Sequence, residues 1–342
     1  MSTFLKYLIT FLVLVAISLL PSCQTVTPTP SPTGEPVIPD TPSPTNTPVI
    51  PEHWSTLGNV EISNAGYVNG VGFTSPTIGM LVGRSNRYDV TADGGVNWTV
   101  SEQVTNQSKR CRFGVDVVDT QVMAHCGPGR SAADGSIVNT VEISSDGGKT
   151  WKISEYPVPA NSPAHYMFCS SLSFIDSQNG WAAAIHHIVA TRDGGDHWSD
   201  VPLPQEAGLF GTVNPIIMVS LLSPGVGYLM DLQLNLYATS DSGQTWTKLA
   251  LPLKGDEAIV GNYRAKTAIR FTDAQHGEVA VSLQNKAEER IILLLTTEDG
   301  GASWERETIP VLVAELLSIS HDGSLLTIAD GFRAVTLLKY TD

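Results

Sequence analysis

Thr-Ala-Asp-Gly-Gly-Val-Asn-Trp at 91–98 returns as Ser-Ser-Asp-Gly-Gly-Lys-Thr-Trp at 144–151, Thr-Arg-Asp-Gly-Gly-Asp-His-Trp at 191–198, Thr-Ser-Asp-Ser-Gly-Gln-Thr-Trp at 239–246 and Thr-Glu-Asp-Gly-Gly-Ala-Ser-Trp at 297–304. The aspartates stand at 93, 146, 193, 241 and 299, a period near fifty residues. A fixed turn and a tryptophan at such a period mark a repeat array. Each copy lies between strand-like runs, as Ile188–Thr191 precedes Asp193 and Trp198–Val201 follows it. Asp-Gly-Gly tolerates the positive φ of a tight hairpin turn, the Asp carboxylate can accept backbone N–H groups, and the Trp can pin the turn to its own sheet.

A second pattern recurs out of phase with the first. It reads Phe73 to Gly79, Phe174 to Gly180, Leu221 to Gly227 and Phe271 to Gly277, with looser copies beginning at Val117 and Ile319. Each is a strand, a polar turn and a second strand, and a third strand then runs into the aspartate turn. Four strands repeated six times predict an all-β chain folded as a single β-propeller of six four-stranded blades. Seven blades would require a hidden degenerate unit. The sixth unit has no aspartate turn of its own, so the strand-like stretch from His53 to Leu57 is expected to supply its outer strand. The ring would then close by pairing N- and C-terminal strands, which removes two open sheet edges.

The motif Ser/Thr-x-Asp-x-Gly-x-Thr/Ser-Trp resembles the Asp box of the sialidase-type BNR repeat. The combination with Phe-x-Asp-x-x-x-Gly-Trp is most similar to the photosystem II assembly/stability-factor propellers, over roughly 54–342. That resemblance implies a non-catalytic binding or assembly propeller. It implies structural roles for Asp93, Trp98, Asp146, Trp151, Asp193, Trp198, Asp241, Trp246, Asp299 and Trp304. The alternative it leaves open is an exo-acting, sialidase-like glycoside hydrolase on an acidic glycan. No residue matches the sialidase nucleophile, and 54–73 contains no Arg. Asp116 and Asp231 can be nominated as carboxylates of a glucan-cleaving propeller, without a supporting motif.

Ahead of the repeats, residues 1–23 carry Lys6 and then an apolar run from Tyr7 to Leu20, too short for a stable span and suited to an export signal. It ends in Leu20-Pro-Ser-Cys23, which resembles a bacterial lipobox, so lipidation is expected at Cys23. Residues 24–52 are rich in Pro, Thr and Ser and are expected to form a disordered, extended stalk before the propeller of 53–342. Together these predict an extracytoplasmic domain, lipid-anchored to the bacterial cell envelope, that meets the membrane through that anchor alone and is monomeric.

The chain has 20 basic and 34 acidic residues and a net charge of −14. This argues against nucleic acid as a partner. In a propeller blade the aspartate turns share one face with the turns between the first two strands. The opposite face, built from the remaining loops, is the expected binding surface. Its candidates are Arg84, Arg87, Arg110, Arg112, Arg130, Tyr166, His186, His187, Tyr263, Arg264, Arg270 and Arg333. Arginine suits carboxylate, phosphate or sulfate, so the expected partner is a protein or an anionic glycan. The same side chains can equally make salt bridges with neighbouring Asp and Glu. No cofactor and no metal site is expected: His186-His187 lacks a third ligand at supporting spacing. Cys111 and Cys126 flank the first hairpin of the second blade and form a candidate disulfide, with Cys111–Cys169 as the alternative.

Overall fold

The computed structural model describes residues 54–61, 68–83, 88–100, 114–127, 130–131, 137–158, 169–184, 187–205, 216–255, 258–259, 267–284, 290–311, 314–330 and 334–340. They lie within one compact unit, 46–342. Cys23, the apolar stretch expected to act as an export signal and the Pro/Thr-rich stretch lie outside them.

Among the described residues all regular structure is β, in six sheets arranged as a six-bladed propeller. Counting outward from the channel, blade one is Val68–Phe73, Gly79–Gly83, Tyr88–Thr91 and Thr99–Val100. Blade two is Val115–Val117, Met123–Cys126, Ile137–Ser144 and Lys152–Pro157, with the short strand Arg130–Ser131 also paired to its third strand. Blade three is Ser171–Phe174, Gly180–Ala184, His187–Thr191 and Ser199–Val201. Blade four is Ile216–Ser223, Val226–Asp231, Leu236–Thr239 and Thr247–Leu249. Blade five is Thr267–Phe271, Gly277–Gln284, Arg290–Thr297 and Glu305–Pro310, extended by Ala258–Ile259 on its second strand. Blade six is Leu316–Ile319, Leu325–Ala329 and Ala334–Tyr340, completed by Trp54–Glu61. Trp54 pairs with Tyr340 and Glu61 with Ala334, so the ring closes as the sequence predicts.

The aspartate turns owe their shape to contacts within five residues. In blade three the Thr191 hydroxyl donates to Asp193 Oδ1 (2.9 Å) and accepts the Gly195 N–H (2.7 Å). Asp193 Oδ1 also accepts the His197 N–H (2.9 Å), and Oδ2 faces His197 Nδ1 at 2.7 Å. Asn97, Thr150, Thr245 and Ser303 hold Asp93, Asp146, Asp241 and Asp299 in the same way. These hydrogen bonds favour the ionised carboxylate. They hold Asp146, Asp193 and Asp299 near pKa 2 and lower Asp93 and Asp241. Gly194, at φ +67°, donates its N–H to Gln178 O (2.9 Å) in the turn between the first two strands, tying the two turns together. A Cβ there would meet Ser177 O at 2.8 Å.

The Phe-to-Gly pattern has an equally direct cause. The Phe174 ring lies flat over Gly180 on the paired strand, where any Cβ would collide with it. Trp198 meets the edge of that ring (centroids 6.5 Å) and donates from Nε1 to Ser154 Oγ of blade two (2.7 Å). Trp246 likewise reaches Pro202 O of blade three (2.8 Å). Trp198 and Trp246 therefore join their own turns to the preceding blade, beyond the expected role of pinning their own sheet, whereas Trp151 donates within its own turn to Gly148 O (3.0 Å). The buried apolar residues form six clusters, one in each gap between neighbouring blades.

The disulfide corrects the expected pairing. Cys126 is bonded to Cys169, ahead of the inner strand of blade three, rather than to Cys111. Val115 pairs with His125, so the residue opposite Cys126 is Gly114, whose carbonyl accepts the Cys126 N–H (3.0 Å). Cys126 instead joins the cluster between blades two and three, where Cys169 also sits. Cys111 lies outside the described residues.

Candidate functional site in the central channel

One position on each inner strand controls the channel. It lies just before Phe73, Val117, Phe174, Leu221, Phe271 and Ile319, and is occupied by Gly72, Asp116, Ser173, Ser220, Arg270 and Ser318. An inner strand leaves one backbone edge unpaired within its own sheet, and short acceptors here serve the next blade. Asp116 Oδ2 accepts the Phe174 N–H (2.6 Å), Ser173 Oγ the Leu221 N–H (3.0 Å), and Ser220 Oγ the Phe271 N–H (3.4 Å).

Arg270 is only a donor and cannot continue that series. Its Nη2 instead reaches across the ring to Asp116 Oδ1 (3.1 Å), joining blade five to blade two. His321 Nε2, from the first turn of blade six, contacts the same oxygen at 3.1 Å. The Asp116 and Arg270 side chains are only 4 % and 9 % exposed. Burial pushes the Asp116 pKa up, but the charges of His321 and Arg270 and the Phe174 N–H outweigh it and hold the carboxyl below its ordinary value. Glu278 pairs with Arg270 across the sheet. Burial, and then the Asp322 charge, push its pKa up to about 8, so it is mostly protonated at neutral pH.

The inner strands enclose a cavity of about 80 Å³. Ligand pockets commonly span about 300–1,000 Å³, so this one has no room for a sugar residue. Among the described residues, no three His, Cys, Asp or Glu side chains converge to hold a metal ion.

Arg270 is thus a correction. It was expected on the face opposite the aspartate turns, yet it sits beside the first turn of blade five and is held by Asp116. His187 opens the third strand of blade three, with Nε2 2.7 Å from Asp200 Oδ1 and its ring 6.3 Å from Tyr156. Arg130 begins the short strand of blade two. Arg84, Arg87, Arg110, Arg112, Tyr166, His186, Tyr263, Arg264 and Arg333 lie outside the described residues. Asp231 is buried and builds its own loop: Oδ1 accepts the Gln233 and Asn235 N–H groups (both 2.9 Å) and Oδ2 the Asn235 amide (2.8 Å).

Sequence reasoning missed the partnership of Asp116 with Arg270 and His321, and also a buried pair in blade two. There His125 Nε2 stands 3.3 Å from Glu142 Oε2, both residues essentially without exposure, with the imidazole against Tyr88 and Trp151. The signal was present as polar residues at inward-facing positions of Met123–Cys126 and Ile137–Ser144.

Residues 132–250 match the family described as Photosynthesis system II assembly factor YCF48. A search of curated proteins returns no match. YCF48 from Cyanidioschyzon merolae is 14 % identical, with TM-score 0.45 over 84 % of this chain and 98 % of that one. A YCF48 bound to a D1 peptide is also 14 % identical, with TM-score 0.48 over 87 % of this chain and 100 % of the other. The U3-55K structure is 10 % identical, with TM-score 0.53 over 84 % of this chain and 98 % of that one. At such identity the likeness is one of fold. The chain is a six-bladed propeller, and its central blades carry an assembly-factor-like repeat.

Proposed function

We propose that this protein is a non-catalytic binding or assembly propeller, held at a bacterial envelope by a lipid on Cys23 and a Pro/Thr-rich stalk. Its partner is another protein, engaged on the face opposite the aspartate turns. The match of residues 132–250 to an assembly-factor family carries the reading. Among the described residues, the small cavity between the inner strands favours it over a glycoside hydrolase acting inside the channel, because a hydrolase needs room for a sugar between two carboxylates. Asp116, the inner-strand carboxylate nominated for that chemistry, is already engaged by Arg270, His321 and the Phe174 N–H.

The test is site-specific photo-crosslinking of the full-length chain in its native envelope. Probes at Arg84, Arg130 and Arg333 should capture a common protein, and a probe at Lys149 on the opposite face should not. Replacing the three arginines with Ala should abolish capture by a probe at Arg87 while leaving unfolding unchanged. Equal capture from both faces would refute the proposed surface, and turnover of an acidic glycan by the purified protein would restore the hydrolase.

A further inference from the structure

The inner strands are joined to one another unevenly. Asp116, Ser173 and Ser220 each accept an N–H of the next blade, and Ser171 Oγ accepts a further one from Val219 (3.1 Å) between blades three and four. Those bonds link blades two, three, four and five in series. The Asp116 carboxylate then carries the connection across the channel to Arg270 and to His321 of blade six. Blade one takes no part in this network. Gly72 has no side chain to serve the Val117 N–H of blade two. Ser318 of blade six, the residue placed to serve Phe73, makes no side-chain hydrogen bond among the described residues.

The packing of blade one is slighter as well. Its outer strand, Thr99–Val100, is two residues long, against three to eight in the other blades. Towards blade six it rests on an apolar core that includes Phe73, Leu81, Leu325 and Val335. Towards blade two the buried apolar core is only Met80, Val82, Tyr88, Val117 and Met123, and the His125–Glu142 pair lies beside Tyr88 in place of further apolar side chains. Thr74 Oγ1 donates to Val118 O (2.9 Å), a tie between turns at the rim. Segments with few apolar contacts and few cross-links open before the rest of a fold. We propose that blade one is a gate in the ring, a unit that parts from blade two and unfolds locally ahead of the other five blades. Its residues 69–73 form part of the channel wall, so its opening uncovers the channel. The gate is independent of the proposed partner-binding face and stands or falls without it.

The experiment is hydrogen–deuterium exchange of the full-length chain near neutral pH, read by mass spectrometry. The second strand of each blade is compared, because it is paired on both sides. Gly79–Gly83 of blade one is set against Gly180–Ala184, Val226–Asp231 and Leu325–Ala329 of blades three, four and six. After correction for intrinsic rates, blade one should exchange about ten-fold faster than each of them, or more. Gly72→Ser tests the cause. A Cβ at position 72 stands 3.8 Å from Val117 N, with methyls of Val115 and Val117 at 3.2 and 3.3 Å. A serine hydroxyl there can supply the missing acceptor, and Gly72→Ala is the steric control. The serine variant should slow exchange in blade one about three- to ten-fold relative to the alanine variant and leave blade four unchanged. If neither variant folds, the comparison within the wild type decides alone. Exchange in blade one no faster than in the other three blades, or no slower with serine than with alanine, would overturn the proposal.

Discussion

Asp116 shows how much one side chain can be asked to hold. Its carboxylate receives a guanidinium from blade five, an imidazole from blade six and a backbone N–H from blade three. Removing one partner of a buried ion pair leaves the other uncompensated, at a cost of about 3–5 kcal/mol. Asp116→Asn should therefore lower the urea midpoint strongly, and adding Arg270→Met should recover much of the loss. Additive losses in the double variant would show that the two residues are not coupled. Glu278, opposite Arg270, is a carboxyl whose pKa is raised to about 8. A folded-state value above the unfolded one means stability is lost as pH rises from about 4.5 towards 8 and is level beyond. The turn aspartates titrate below that window. Glu278→Gln should match the wild type near pH 4.5 and exceed it at pH 8, with a flatter profile between, as pH-dependent urea unfolding would reveal.

At the scale of the element, the aspartate turn was legible because nearly everything that shapes it lies within a few residues. Thr191, Asp193, Gly195 and His197 are bonded to one another, and a local pattern suffices to read them. The Phe174–Gly180 contact was legible as a spacing, although its cause is a ring over a backbone. What the turn does to its neighbour was hidden: Trp198 reaches 44 positions back to Ser154. Trp198→Ala should thus loosen two blades at once. Buried aromatic truncations cost about 3–5 kcal/mol, and this partly buried ring should lie at about 2–3 kcal/mol in denaturant unfolding. Ser154→Ala, which removes only the acceptor, should cost about 1 kcal/mol.

Across the whole molecule, blade number and ring closure could be read from periodicity, whereas contacts between blades could not. Arg270 and Asp116 stand 154 positions apart and meet because six repeats bring opposite blades face to face. A register error of a few residues also moved Arg270 to the wrong face. The cysteines failed for a related reason. Within a lone hairpin Cys111 looks opposed to Cys126, but the partner comes from the adjoining blade. The Cys126–Cys169 bond closes a loop across 43 positions, for which chain entropy gives about 4 kcal/mol. Cys126→Ser should lower stability by about 2–4 kcal/mol, and adding dithiothreitol should lower the wild type but not the variant.

The pairing of Trp54–Glu61 with Ala334–Tyr340 also sets a schedule. Ser55 and Lys339 are partners 284 positions apart, so the strand made first waits for the strand made last. Until ribosomal synthesis passes Tyr340, blade six lacks its third strand and the ring stays open. The closing contact is thus the most non-local pairing of the fold and carries its largest loop-closure cost. Fusing the outer strand directly after Tyr340, by circular permutation, would turn this pairing into a local hairpin of the same register.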